Sequence, residues 1–143
     1  MPDLDVVSFN FGIPYEHWLG HRGVTHSFLF ALLFAILVKF IFYSKHKLTS
    51  SIGVKLILLF ALIIASHGIL DAMTTGGRGT GFFIPFTDER YFLPWRVIKV
   101  SPMSAARFFS EWGIKVIKSE LIWIGIPCVV TLLFHNIYQR IKA

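Results

Sequence analysis

Apolar positions along the chain gather into three long runs, residues 24–43, 52–70 and 121–137, in which they neither alternate with period two nor leave a polar stripe at helical spacing. A helix that is apolar all round is buried in a large core or in lipid. A bilayer core of about 30 Å takes about 20 helical residues at about 1.5 Å each, so each run predicts a transmembrane helix. Between the second and third runs, Ala105, Phe108, Phe109, Trp112 and Val116 recur at helical spacing, while Arg107, Glu111 and Lys115 fall four residues apart on another face. That pattern predicts an interfacial amphipathic helix leading into the third run. The expected fold class is therefore all-α: a multipass membrane protein with three transmembrane helices plus one interfacial helix. No repeat, low-complexity tract or linker interrupts it, so residues 1–143 read as one membrane-embedded domain.

Composition agrees, with 55% hydrophobic and 15% charged residues among 143, far from the balance of a soluble domain. The chain opens on the acidic "MPDLD" and its first apolar run lacks a small-residue cleavage site, so no cleavable signal peptide is expected. A net charge of +6 is spread over loops and helix ends, which fits membrane flanks and gives no reason to expect nucleic acid as a partner. The lone Cys128 lies inside the third run and forms no internal disulfide. Lys45 and Lys47 in the short "SKHKLTS" turn, flanked by Lys39 and Lys55, share a side with Arg140 and Lys142. Positive-inside reasoning makes that side cytoplasmic. The aromatic-rich "GFFIPFTDERYFLPW" suits the headgroup zone on the other side.

Ionisable groups near a span are functional candidates by default. His67 and Asp71 stand four residues apart at the end of the second run, on one helix face. "HRGVTHS" places His21 and His26 at the start of the first run, with Thr25 or a neighbour as helix cap and His26 in the first turn. Antiparallel neighbours bring these ends to one depth. Asp3 and Asp5 of "PDLD", two residues apart in an extended segment, point to one side and complete the set.

Asp3, Asp5, His21, His26, His67 and Asp71 thus form a mixed nitrogen and oxygen ligand set. It suits a divalent metal, zinc first and manganese or iron next, as one or two ions. The implied chemistry is hydrolysis of a phosphoester by a metal-activated water, with Asp71 or an N-terminal aspartate orienting it. Arg22 is a candidate to hold anionic oxygens of the substrate, weighed against an arginine that snorkels to the headgroups. Glu111 is a candidate base or extra ligand, weighed against an ion pair with Arg107 and Lys115. Glu120, at the start of the third run, sits where the helix dipole favours a carboxylate. "TTGGRGTG" lacks the lysine ending of a phosphate loop and follows a helix, so it reads as a flexible exit. His46 and His135 fall on the other side, and His17 beside Trp18 reads as interfacial.

"PDLDVV", "HRGVTHS", "SHGILDAMTTGG" followed by "IPF", and "SEWGIKVIKSELIW" together resemble the LexA-regulated, inner-membrane, metal-dependent hydrolases of bacteria, over nearly the whole chain and in order. That resemblance implies a hydrolase embedded in the bacterial inner membrane, with presumed ligands at the six positions above. More distantly, the histidine and aspartate spaced four apart are similar to a ligand pair in zinc-dependent phospholipases C. Family members usually carry an apolar helix before the proline-aspartate motif, so a leading helix before Met1 is expected to be missing. The function expected is a membrane-bound metal-dependent hydrolase acting on a phosphoester, a small molecule or a lipid-like substrate. The competing expectations are a di-iron membrane oxidase or desaturase, and a non-enzymatic membrane protein whose polar cluster ties helices together.

Overall fold

The computed structural model describes residues 2–102 and 104–142, the side chain of Ala105 excepted. The chain packs as two compact units, Met1–Met73 with Gly77–Pro94, and Thr74–Gly76 with Trp95–Ala143.

In the first unit a 3-10 helix, Pro2–Phe11, and a short 3-10 turn, Val24–His26, precede two antiparallel helices, α1 (Phe28–Phe42) and α2 (Ser51–Ala72). Each helix starts at a serine: Ser27 accepts from the Phe30 amide and Ser50 from the Gly53 amide, satisfying donors that the first turn leaves unpaired. Small residues, Ala31, Ala35, Gly53, Gly68 and Ala72, are the buried positions of these helices. Gly53 lies against the backbone of the turn at Lys47 and Leu48, and Gly68 against the His26 carbonyl, Thr80 and Phe82, close approaches that only small residues permit. Large side chains such as Leu33, Leu37, Phe40, Leu58 and Leu62 remain exposed. Lys39 is the polar exception. It is buried, and its ammonium donates to the His46 carbonyl, closing the turn between the helices.

At 22 residues α2 is about 33 Å long, enough to cross a bilayer core, whereas α1, at 15 residues, reaches about 22 Å. The expected span over residues 24–43 is shortened at its start. Ser27, not Thr25, caps α1, and His26 lies in the turn before the helix instead of in its first turn. The acidic motif also differs from expectation, because Asp3 and Asp5 sit on a 3-10 helix and not on an extended segment.

The segment after α2 folds back onto this unit. Gly77 and Gly79 adopt positive φ, the Gly81 amide donates to the Arg22 carbonyl, and the Phe28 amide donates to the Phe82 carbonyl. Thr80 and Tyr91 form an isolated antiparallel bridge, and the Phe82 ring stacks on Phe28 with centroids 5.0 Å apart. The glycines are therefore a built turn and not a loose exit. Of the aromatic segment expected along the membrane surface, Phe82 and Ile84 are buried within the unit, while Phe83 and Phe86 stay outside.

The second unit contains α3 (Ala105–Phe108), α4 (Glu111–Glu120), a π-helical turn (Leu121–Gly125) and α5 (Ile126–Lys142). The single amphipathic helix expected over residues 105–116 is cut at Phe109 and Ser110. A Cβ at Gly113 would stand 1.6 Å from the Phe108 carbonyl oxygen, so the break closes only over glycine. From Glu111 to Lys142 the helix runs on for 32 residues, long and apolar enough to cross a membrane. The π turn ends beside Pro127, whose missing N–H and bulky ring an ordinary helix interior does not accept. Glu120 consequently lies within a continuous helix, and the dipole argument made for it does not hold.

Among the described residues there is no strand, only the isolated bridges Thr74 to Ile98 and Thr80 to Tyr91. The protein is all-helical, with two helices able to cross a membrane and a shorter apolar one.

Candidate metal centre

At the C-terminal end of α2, His67 and Asp71 meet the turn that precedes α1 and the N-terminal 3-10 helix, all within the first unit. One ligand-type atom from each of Asp3, His26, His67 and Asp71 falls within 4.8 Å of the others. His26 Nε2 lies 3.0 Å from Asp71 Oδ2 and 3.5 Å from Asp3 Oδ1, and His67 Nε2 lies 3.2 Å from Asp3 Oδ1 and 3.7 Å from Asp71 Oδ2. Ligands about 2.0–2.2 Å from a tetrahedral zinc stand about 3.3–3.6 Å apart. The four separations bracket that edge. Both Nε2 atoms are shielded from solvent yet make no hydrogen bond of acceptable geometry. Shielded nitrogens this close to carboxylate oxygens, yet without a hydrogen bond, are the donor set that a metal ion would use.

Asp5 plays a different part. Its Oδ1 accepts from His21 Nδ1 at 2.6 Å, while Oδ2 accepts from the Arg22 amide at 3.0 Å and the Thr25 hydroxyl at 2.6 Å and lies 3.1 Å from His26 Nδ1. Four donors saturate a carboxylate with about four lone-pair sites. With Nδ1 of His26 carrying its proton toward Asp5 and Thr25, Nε2 is the nitrogen presented to the cluster. Asp3, Asp5 and His21 also form a second ligand-type group within 4.8 Å, adjoining the first through Asp3.

The electrostatics follow from this crowding. The imidazoles of His26 and His67 hold the Asp3 carboxyl well below the usual range. Burial pushes Asp5 up, but donors from His21, His26 and Thr25 outweigh it and leave the group low. Burial likewise acts to lower His26, and carboxylates of Asp3, Asp5 and Asp71 override it, so its pKa is pushed up to about 10. The cluster is buried on one side: the His26 side chain is 0% exposed and that of Asp71 15%, whereas those of His67 and Asp3 reach 36% and 59%. The open side of the cluster lies at Asp3 and His67.

The model of the YdjM inner membrane protein family matches residues 1–143. The chain belongs to this family. Inner membrane protein YbcI of Escherichia coli (strain K12) is 42% identical over 127 residues, covering 89% of this chain and 72% of the relative. No solved structure matches. Membership of the YdjM family makes this an inner membrane protein, which accounts for the exposed leucines and phenylalanines of its long helices.

All six expected ligands in this YdjM-family chain lie within contact distance of another: Asp3 and Asp5 through the histidines, His21 through Asp5, and His26 and His67 through the carboxylates. Asp71 joins them through His26. Arg22 is also at the cluster, but its guanidinium grips Asp71, with Nη2 2.8 Å from Oδ1 and Nη1 donating to the backbone carbonyl at 3.3 Å. Glu111 and Glu120 are exposed on α4 in the second unit and belong to neither group.

Sequence reasoning missed Arg90. Its guanidinium donates to the carbonyls of His21, Tyr15 and His17 at 2.9, 2.8 and 3.2 Å and lies 5.2 Å from the Tyr15 ring centroid. It binds the loop carrying His21 to the segment after α2. The only sequence signal was an arginine in an aromatic-rich loop, which does not name carbonyl partners.

Proposed function

We propose that this chain is a multipass inner-membrane hydrolase that holds one divalent ion, zinc by preference, at Asp3, His26, His67 and Asp71, and cleaves a phosphoester or lipid-like substrate at the membrane surface. The observation that carries the reading is the convergence of four ligand-type atoms at tetrahedral spacing, two of them shielded imidazole nitrogens without a hydrogen bond. Two histidines with two carboxylates suit zinc, manganese or iron over the all-oxygen cages of calcium. An ion bound there supplies an activated water and a positive charge for the phosphoester oxygens.

The chain's own residues set up the rest. Asp5 and Thr25 fix the His26 ring, His67 and Asp71 are held at helical spacing by α2, and the exposed side at Asp3 admits substrate. In this reading α1, though short, is a third crossing, and the Lys39-closed turn faces the cytoplasm.

A second reading has support of its own. A closed set of four protein ligands is typical of a structural ion, and His26 with its pKa pushed up to about 10 among three carboxylates is an ion-paired knot even without one. Such a cluster would tie the N-terminal helix to α2 without catalysis. Exposure of Asp3 and His67 favours the hydrolase.

Detergent-purified protein assayed against phosphodiester and acyl-ester substrates with added zinc, manganese or iron separates these readings. The expected result is zinc- or manganese-dependent phosphoester cleavage that His67→Ala abolishes. Cleavage of acyl esters alone would replace the substrate class, iron-dependent oxidation would replace hydrolysis, and a bound ion with no turnover would favour the structural role.

A further inference from the structure

Arg22 has an unusual backbone. Its φ of 59° places a non-glycine residue in the left-handed region, a strained conformation that persists where surroundings over-determine it. Here they do so from three directions. The Arg22 amide donates to Asp5 Oδ2 at 3.0 Å, its carbonyl accepts from the Gly81 amide at 2.9 Å, and its guanidinium meets Asp71. Gly77 makes room for the side chain, since a Cβ there would stand 2.8 Å from Nη1. The residue as a whole is 5% exposed.

An arginine meant to catch a substrate anion would present its fork to the open side of the site. This fork is turned inward and spans two oxygens of one residue, the Asp71 side-chain Oδ1 and the Asp71 carbonyl near the end of α2. With Oδ1 engaged by Arg22, the other oxygen, Oδ2, is the one 3.0 Å from His26 Nε2 and 3.7 Å from His67 Nε2. The left-handed turn at Arg22 is what lets one residue reach Asp5 with its backbone and Asp71 with its side chain.

We infer that Arg22 is a positioning residue that makes Asp71 a one-oxygen ligand, holding Oδ1 so that only Oδ2 serves the metal. This rests on the reading of the cluster as a metal centre. Lysine cannot substitute, because an ammonium is a point charge without the planar fork that grips carboxylate and carbonyl together.

Cobalt(II) titration of detergent-solubilised protein tests this, since the visible band intensity of bound cobalt falls as its coordination number rises. The wild type is expected to bind cobalt with a stronger visible band than any variant in which Asp71 is free to offer both oxygens. Arg22→Lys is expected to bind at least tenfold more weakly and with a weaker band, as Asp71 turns to offer both oxygens. Gly77→Ala, which keeps every ligand and Arg22 but crowds Nη1, is expected to weaken the same band, and serves if Arg22→Lys does not fold. Folded Arg22→Lys or Gly77→Ala protein with the wild-type band and affinity would overturn the inference alone. Absence of cobalt binding by the wild type would overturn the metal centre itself.

Discussion

Asp5→Asn tests the claim that Asp5 orients His26 without binding the ion. The aspartate accepts from the Arg22 amide, the Thr25 hydroxyl and His21 Nδ1 and lies 3.1 Å from His26 Nδ1, in a buried setting. Asparagine keeps the shape but only one carbonyl oxygen. If that oxygen stays where Oδ2 was, it still serves the same three groups, now without charge, and the new NH2 faces His21 Nδ1, which must give up its proton to accept it. Hydrogen bonds to a charged group contribute about 1.5–3 kcal/mol and those between neutral groups about 0.5–1.5. The loss is therefore about 1 kcal/mol at each of the three retained bonds, or about 3 kcal/mol in all, an upper bound on what the His26 ring orientation can forfeit. Loss of an outer-shell partner costs roughly 10- to 100-fold in metal affinity, about 1.4–2.8 kcal/mol, which falls within that bound. Competition of the variant against a chromophoric zinc chelator, with helicity checked by circular dichroism, reads the affinity. A dissociation constant within twofold of wild type would refute the orienting role, and a loss greater than about 10⁴-fold would make Asp5 a direct ligand.

Further outcomes follow from the same geometry. In chelator-treated protein, His26 with its pKa pushed up to about 10 contributes stability that is complete below its ordinary 6.5 and fades as pH rises toward 10. Asp3 and Asp5, held low, contribute above their ordinary value of about 3.9 and lose it as pH falls further. Thermal unfolding followed by tryptophan fluorescence should then peak between about pH 4 and 6.5, and a midpoint still rising from pH 7 to 9 would contradict the ion-paired cluster. Ser27→Ala removes the α1 cap and should lower stability by about 1 kcal/mol, with zinc affinity within twofold of wild type, because the Ser27 hydroxyl serves the Phe30 amide. Gly68→Ala puts a Cβ 3.0 Å from the His26 carbonyl oxygen and should push the His26 turn away from α2, weakening zinc binding severalfold in the chelator competition.

Much of the cluster was legible in the sequence because helical spacing is local: His67 and Asp71 share a face whatever surrounds them, and the antiparallel arrangement follows from a short turn between two apolar runs. The start of α1 was not legible. Thr25 and Ser27 are equally good caps by type, and the choice falls to Ser27 because Asp5, twenty residues from Thr25, accepts its hydroxyl proton. The same tertiary demand sets the left-handed turn at Arg22, which a reading of residue types assigned to substrate instead of to Asp71. Helical periodicity carried across residues 105–116 missed the break at Ser110, since the apolar spacing survives on both sides of it. It also divided α4 from α5 at Glu120, where the backbone continues through a π turn beside Pro127.

The central claim is that Asp3, His26, His67 and Asp71 hold one divalent ion. Metal content of detergent-purified protein, measured by inductively coupled plasma mass spectrometry after zinc loading and extensive dialysis, tests it directly. One zinc per chain is expected in the wild type, and loss of that zinc in both His67→Ala and Asp71→Ala. Wild-type protein that carries no metal, or variants that retain the full complement, would contradict it.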